Sequence, residues 1–327
     1  MPQQMKSILL FTTLLITACT PRLELKVKVL DDSGTVATGA TVYASTFKRN
    51  IPGDNFGRDE HTIKTAITDS NGWANILIRS KTGKISYRAQ LEDKGYYGET
   101  YTIVLNISDY PAWKTTSMVS TAIVPRVTHP IPLYAKRVNI TLAEEAYLNT
   151  KPIGYDLLVG DIVEPFGIGI HSDMEFVMES SFNGMTSSGF PIVDATLVVR
   201  FPGQGNGIQS YRVNRFQSPS LRLPRIAPES FYNNSITQSF VQTEKTFHRD
   251  WNEEQNYYIK TRSEVTSNGL LTNSLYGKMH GDFNWSPKGE IQFTYYINPN
   301  HNDRNVEFNL TNNLFTNLVA LEGVNEP

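Results

Sequence analysis

Residues 290–298 read Glu-Ile-Gln-Phe-Thr-Tyr-Tyr-Ile-Asn, and this stretch decides the fold class. Side chains two positions apart share a face of a β-strand. One face here is apolar, with Ile291, Phe293, Tyr295 and Ile297. The other face is more polar, with Gln292, Thr294, Tyr296 and Asn298. Two further strands are predicted before it, at residues 256–265 and 270–285, so the chain is expected to end in an antiparallel meander.

The start of the chain has the same two-residue period. Apolar side chains alternate with charged ones at Leu23, Leu25, Val27 and Val29. The sequence Thr-Asp-Ser-Asn-Gly at 68–72 predicts a tight hairpin between strands at 63–67 and 73–78. Short strands with frequent turns are typical of a sandwich. We therefore predict a small Ig-like or transthyretin-like β-sandwich over residues 23–106.

Prolines separate this region from the rest of the chain. Pro111 and Pro125 lie in a stretch where no continuous helix can form, which predicts a linker at 107–128. Residues 129–327 are predicted to form a larger antiparallel β-sandwich, so the fold class is all-β. Only about residues 142–148 suit a short helix. Glycines at 203–207 predict a hairpin between strands at 196–201 and 208–213.

Composition excludes several classes of protein. The chain has 327 residues, and 30 Lys and Arg against 32 Asp and Glu give a formal net charge of −2. A nucleic-acid-binding protein would be expected to carry a strongly basic surface, so nucleic acid is not predicted as a partner. The single cysteine, Cys19, excludes an intramolecular disulfide framework and a zinc site built from cysteines.

An apolar segment precedes that cysteine. Residues 5–19 begin with Met-Lys, continue through about a dozen apolar or small residues and end in Ile-Thr-Ala-Cys. These last four resemble the lipobox of bacterial lipoproteins, which implies a signal peptide at 1–18, lipid on Cys19, and a tether at 19–22. The alternatives are an ordinary secretory signal or a structural cysteine. The start is Met1 or Met5, and the expected location is the bacterial cell envelope, with the outer membrane favoured.

Four stretches of the first predicted domain resemble the carboxypeptidase regulatory-like, or transthyretin-like, family. They are Leu30-Asp31-Asp32-Ser33-Gly34, Gly39-Ala40-Thr41-Val42, Thr68-Asp69-Ser70-Asn71-Gly72 and Gly95-Tyr96. Bacterial Ig-like domains share the third of these, so the subclass stays open. The resemblance implies a non-catalytic spacer or binding module.

The second predicted domain resembles an uncharacterised family of exported bacterial proteins that also begin with a regulatory-like domain. The matching stretches are residues 129–138, 154–161, 276–283, 295–299, 302–308 and 313–315. This resemblance implies export and a two-domain architecture, and it implies no activity.

Motifs for catalysis and for metals are missing from the sequence. A zinc carboxypeptidase uses a His-x-x-Glu pair, and none of the six histidines is followed by glutamate at that spacing. The sequence also has no Gly-x-Ser-x-Gly, His-Glu-x-x-His or phosphate-loop motif. We therefore predict no catalytic residues, no metal and no cofactor.

The candidate ligand-binding residues are polar or aromatic and lie near the end of the chain: His280, Asp282, Tyr296, Asn298, His301, Asp303, Arg304 and Glu307. Oxygen donors at 298–307 are of the kind that bind Ca²⁺. The alternative is a turn in which Asn and Asp side chains cap the backbone. His280 with Asp282, and His301 with Asp303, have the spacing of an acid-base pair on one strand face.

Exposed aromatic rings are a further candidate feature, because they stack on sugars. The candidates are Trp251, Tyr257, Tyr258, Trp285 and Tyr296, for which core packing is the alternative. The sequence as a whole predicts a lipid-anchored envelope protein that acts without catalysis in binding, adhesion or assembly. Its expected partners are the membrane, through the lipid, and an envelope protein or a glycan. The other functions considered are a glycan-binding surface lipoprotein and a hydrolase.

Overall fold

The computed structural model describes residues 22–48, 60–79, 85–91, 95–97, 115–148, 150–213 and 220–327. The predicted all-β fold class is confirmed, with antiparallel sheets in sandwich-like arrangements. Cys19 and the predicted signal peptide lie outside the described residues. None of the helices in the described part of the chain has the length and apolar character needed to cross a membrane.

The chain divides into two compact units, and the first contains most of the N-terminal strands. The strands are β1 Arg22–Asp31, β2 Thr41–Lys48, β3 Glu60–Ile67, β4 Trp73–Arg79, β5 Ile85–Gln90 and β6 Thr115–Val124. They form two three-stranded sheets, in the orders β4-β1-β6 and β3-β2-β5. The alternation predicted for β1 is confirmed, because Leu23, Leu25, Val27 and Val29 are all buried.

The predicted hairpin at 68–72 is wrong, because its two strands lie in different sheets. β3 pairs with β2, and β4 pairs with β1. The turn itself forms, with Oδ1 of Asp69 accepting hydrogen bonds from the backbone N–H groups of Asn71 and Trp73. The side chain of Thr68 donates to the carbonyl of Ala37 and accepts from the N–H of Ala40. These contacts tie the turn to the preceding loop, so it acts as a crossover between sheets.

The predicted linker at 107–128 also needs correction. Residues 115–124 form strand β6, and Ala122 and Val124 are buried. Pro125 follows directly after this strand, where its missing N–H interrupts no ladder. Residues 107–114 lie outside the described residues.

The second unit consists mainly of residues 123–327. Its elements begin with β7 Ile131–Thr141, α1 Glu144–Leu148, β8 Ile153–Asp156, β9 Asp161–Ile162, β10 Met174–Met185 and β11 Pro191–Arg200. They continue with β12 Gly207–Arg212, β13 Ser235–Gln242, β14 Phe247–Arg249, β15 Gln255–Val265, β16 Leu271–Trp285, β17 Glu290–Ile297 and β18 Phe308–Asn313. The helix α1 falls within the predicted range.

Two six-stranded sheets make up the second unit. The meander sheet has the order β12-β15-β16-β17-β7-β18, and the opposing sheet has the order β14-β13-β11-β10-β8-β9. The predicted meander of β15, β16 and β17 is confirmed, and β7 then pairs antiparallel with β17. The core contains Ile291, Phe293, Tyr295 and Ile297 from one face of β17 together with Phe176 and Leu197 of the opposing sheet.

The predicted hairpin around residues 203–207 is wrong. β11 pairs with β10 and β13 in the opposing sheet, whereas β12 pairs with β15 in the meander sheet. The chain therefore crosses between sheets here. Gly203 and Gly205 have φ of +97° and +84°, values that favour glycine over other residues.

Candidate functional site

The polar stretch at 298–307 is a folded turn and does not form an open site. Asn298 is fully buried, and its amide N–H groups donate to the carbonyls of Asp303 and Asn305. Its side-chain oxygen accepts from the N–H of Asn300. Within the described residues no group of three or more His, Cys, Asp and Glu side chains is placed to hold a metal. The arrangement fits the turn interpretation and does not support calcium binding.

Glu307 is a buried structural anchor. Its carboxylate accepts hydrogen bonds from the N–H and hydroxyl of Thr128, the N–H of His129 and the hydroxyl of Tyr97. The guanidinium of Arg225 lies 3.3 Å away. Burial by itself raises the pKa of Glu307, but these hydrogen bonds outweigh it, and the net shift is downward. The side chain is fully used inside the protein.

The neighbouring candidates Asp303 and Arg304 also bond to other groups of the protein. Asp303 accepts from the N–H of Asn305, two residues on, and Arg304 donates to the carbonyl of Ala227 at 3.1 Å. His301 is exposed. No hydrogen bond joins His301 and Asp303, both of which lie in the described part of the chain. The acid-base pair expected there does not form, because a turn and not a strand carries these residues.

The outer face of the meander sheet is covered where β16 and β17 meet. Tyr296 is fully buried, because a cluster containing Leu133, Phe308 and Val324 packs over it. Its hydroxyl lies 3.2 Å from Nδ1 of His280 and donates to the carbonyl of Glu326. Tyr296 is therefore not exposed to a ligand, contrary to its prediction as a ligand-binding residue.

Two basic side chains beside Tyr296 are buried, and burial favours their uncharged forms. Burial lowers the pKa of Lys278 to about 7 and that of His280 to about 3. Nζ of Lys278 lies 4.8 Å from the centre of the Tyr296 ring. Nζ of Lys278 and Nε2 of His280 have no hydrogen-bond partner among the described residues. At neutral pH the histidine contributes no charge to its surroundings.

A β-bulge separates His280 from Asp282. Gly281 has φ of +81°, and the pairing of β16 with β17 shifts register between His280 and Asn284. His280 keeps its contacts on the outer face, whereas Asp282 accepts hydrogen bonds from the hydroxyl of Tyr257 and the amide of Gln238. No hydrogen bond joins the two described side chains, so the expected acid-base pair is not formed. Bulges commonly redirect side chains at functional sites.

An open groove lies beside this bulge, with a cavity volume of about 530 Å³. Its floor is formed by outward-facing side chains of three adjacent strands, namely Arg137 and Asn139 of β7, Gln292 and Thr294 of β17, and Asn284 of β16. Val319, Leu321 and Glu322 form one wall. The wall is fastened to β7, because Lys136 pairs with Glu322 at 2.9 Å and the N–H of Arg137 donates to the Glu322 carbonyl.

A directed chain of hydrogen bonds crosses the groove floor, and we call it the amide ladder. It consists of Arg249, Asn284, Gln292 and Asn139. The guanidinium of Arg249 donates to Oδ1 of Asn284 at 2.6 Å, and the Asn284 amide donates to Oε1 of Gln292 at 2.9 Å. The Gln292 amide then donates to Oδ1 of Asn139 at 3.4 Å. Register places the three amides side by side, because Asn284 pairs with Gln292 and Gln292 with Asn139.

A second cavity of about 320 Å³ adjoins the groove, and Asp282 and Asn284 line both. Its other lining residues are Arg222, Arg249, Trp251, Glu253 and Gly281. Both volumes lie within or near the range of about 300–1,000 Å³ that is common for ligand pockets. Because they share Asp282 and Asn284, the two cavities are adjacent across the bulge, and we refer to them together as the binding groove.

Of the five candidate aromatic residues, four are core residues. Tyr257, Tyr258, Trp285 and Tyr296 are each less than 5% exposed, whereas Trp251 is 45% exposed. Trp251 alone among these five presents a ring surface to a ligand. Trp251 and Asp282 are among the residues predicted from the sequence, whereas the amide ladder is not. The available signal was the outward face of β17, where Gln292 and Thr294 alternate with core residues.

The chain matches no protein-family model and no curated protein sequence. The resemblances to the regulatory-like domain and to the exported bacterial proteins therefore remain predictions.

Proposed function

We propose that the protein is a lipid-anchored component of the bacterial cell envelope that binds an envelope partner in the binding groove without catalysing a reaction. The observation that carries this proposal is the amide ladder. A hydrogen-bonded row of side chains on a sheet face holds each amide in one orientation before any ligand arrives. Such preorganisation lowers the entropy cost of binding.

The ladder leaves polar groups available to a partner. Each amide has two N–H donors and an oxygen with two acceptor sites, and the ladder uses only part of them. The Nδ2 group of Asn139, at the end of the ladder, donates to no other residue of the ladder. Arg137, Asn139, Asn284 and Gln292 are all exposed. The groove can therefore both donate and accept hydrogen bonds along its length.

The acidic and basic groups of the groove favour binding over catalysis. Asp282 accepts four hydrogen bonds, from Gln238, Tyr257, and the backbone N–H groups of Asn252 and Phe283. Burial outweighs these bonds and raises the pKa of Asp282, and all four bonds hold the carboxylate to groups of the protein itself. His280 is neutral and buried, and its Nδ1 lies 3.2 Å from the hydroxyl of Tyr296 and 3.6 Å from the carboxylate of Glu326. Neither group is arranged for proton transfer to a ligand.

Lipid on Cys19 would hold the protein at the membrane, and the proposal assigns the first unit the role of a spacer. We expect wild-type protein to incorporate labelled palmitate and to sediment with membranes. Cys19→Ser should lose both, since a single thioether-linked cysteine carries the anchor. Label and membrane association that persist in Cys19→Ser would contradict anchoring at this residue.

The binding role is tested with purified envelopes and the full chain in detergent. Asn284→Ala removes the central amide of the ladder. We expect it to weaken envelope binding about tenfold, which is the effect of losing about two hydrogen bonds to the partner. Asn183→Ala is the matched control, because Asn183 is an exposed asparagine on β10 that lines neither cavity. Co-sedimentation with envelopes measures both. Equal binding by Asn284→Ala and wild type would exclude the groove as the binding site.

A further inference from the structure

We infer that the occupant of the binding groove is a neutral glycan chain. This inference rests on the proposed function and names the chemical class of the partner. It draws on the charge balance of the groove, the position of Trp251 and the spacing of the amide ladder.

The charged side chains that line the groove balance one another. The lining contains three guanidinium groups, of Arg137, Arg222 and Arg249, and three carboxylates, of Asp282, Glu253 and Glu322. His280 adds no charge at neutral pH. A site for a polyanion would carry an excess of positive charge. The balanced lining instead suits a ligand that is polar and uncharged.

Trp251 gives the second cavity an apolar surface among polar groups. Its side chain is 45% exposed and lies beside Arg249 and Glu253 in the cavity lining. A sugar ring has an apolar C–H face and a rim of hydroxyl groups. An exposed indole packs against the C–H face, and charged or amide side chains form hydrogen bonds with the hydroxyl groups. The lining of this cavity therefore matches one sugar residue.

The amide ladder extends the match along the groove. Asn139, Gln292 and Asn284 lie on adjacent strands, which are about 4.8 Å apart in a sheet. This spacing is comparable to the length of one sugar residue in a chain. Hydroxyl groups that repeat along a glycan can thus meet an amide on each strand in turn.

A peptide is a poorer match for the groove. Extended peptides bind by adding a strand to an open sheet edge, where main-chain groups are free. The groove crosses β16, β17 and β7, and these are interior strands of the meander sheet whose neighbours already occupy both sides. The groove floor presents side-chain amides, which form hydrogen bonds with hydroxyl groups as readily as with peptide groups.

The chemical class is tested by treating purified envelopes before binding. Periodate cleaves the vicinal diols of sugars, and protease removes exposed proteins. We expect binding of the full chain to fall at least about tenfold after periodate and to survive protease. Binding that survives periodate and is abolished by protease would overturn the glycan inference. If Asn284→Ala still reduced that protease-sensitive binding, the proposed function would stand and only the ligand class would be wrong.

Trp251→Ala tests the sugar-stacking position within the same assay. We expect envelope binding about tenfold weaker than for wild type. Phe190→Ala is the matched control, because Phe190 is an exposed aromatic residue of the same unit that lines neither cavity. Free neutral oligosaccharides of increasing length should compete with the envelope, and polygalacturonate should not. Competition by the polyanion alone would contradict the charge-balance argument.

Discussion

Arg262→Met is expected to destabilise the second unit by about 3–5 kcal/mol, because it leaves two buried carboxylates without their cation. Asp156 and Asp173 are both no more than 2% exposed. The Arg262 guanidinium donates to Asp156 at 2.8 Å and to both oxygens of Asp173 at 2.8 Å. Methionine retains a long side chain without the charge. Urea unfolding of the two proteins measures the difference.

The control for this variant is Arg200→Met, at an exposed arginine on β11. It should change stability by less than about 0.5 kcal/mol, as is usual for surface substitutions. A loss in Arg262→Met no larger than that of the control would contradict a role for this ion cluster in holding the unit together.

The same cluster predicts how the effect changes with pH. Burial raises the pKa of Asp156, but hydrogen bonds from the backbone of His171, Val159 and Ile170, together with the charge of Arg262, give a net lowering. A carboxylate with a lowered folded pKa stabilises the protein above its unfolded pKa, and this contribution is lost as pH falls through the folded value. The wild type should therefore lose part of its advantage over Arg262→Met below pH 3.8, the ordinary value for Asp156.

Glu307→Ala is expected to cost a similar amount, about 3–5 kcal/mol, because one buried and three part-buried hydrogen bonds lose their acceptor at once. The hydroxyls of Tyr97 and Thr128 and two backbone N–H groups all bond to this carboxylate. Glu307→Gln should cost less, since an amide oxygen still accepts some of these bonds. Thermal unfolding measures the loss of stability in both variants. The control is Glu179→Ala, at an exposed glutamate of β10.

Envelope binding by Glu307→Ala distinguishes the structural role from a ligand-binding role. We expect the variant to bind envelopes like the wild type at temperatures where it remains folded, because Glu307 lines neither cavity. A variant with wild-type stability and reduced binding would contradict this account and return Glu307 to the candidate ligand residues.

Local periodicity predicted the strands well, but it did not predict their partners. The alternation at 290–297 identified β17 and its core face, since burial follows directly from the two-residue period. The turns at 68–72 and 203–207 looked like hairpins, yet each joins strands of different sheets. A turn motif specifies a change of direction, whereas pairing depends on contacts far apart in the sequence.

The site was harder to predict than the fold for a related reason. The densest polar stretch, 298–307, proved to bond mainly within the protein, because its side chains satisfy one another and nearby backbone groups. The amide ladder instead joins Asn139, Asn284 and Gln292, which meet only through the register of β7, β17 and β16. Tyr296 likewise lies on the polar face of its strand and is buried only because distant residues cover it.

Photo-crosslinking in native envelopes tests directly whether the binding groove holds an envelope glycan. A photoreactive residue replaces Leu321, which is 81% exposed on the groove wall, or Leu270, which is 67% exposed and lines neither cavity. We expect an adduct from position 321 that periodate cleaves and protease treatment of the partner leaves intact, with little adduct from position 270. Equal adducts from both positions, or a protease-sensitive adduct from position 321, would contradict a glycan in the groove.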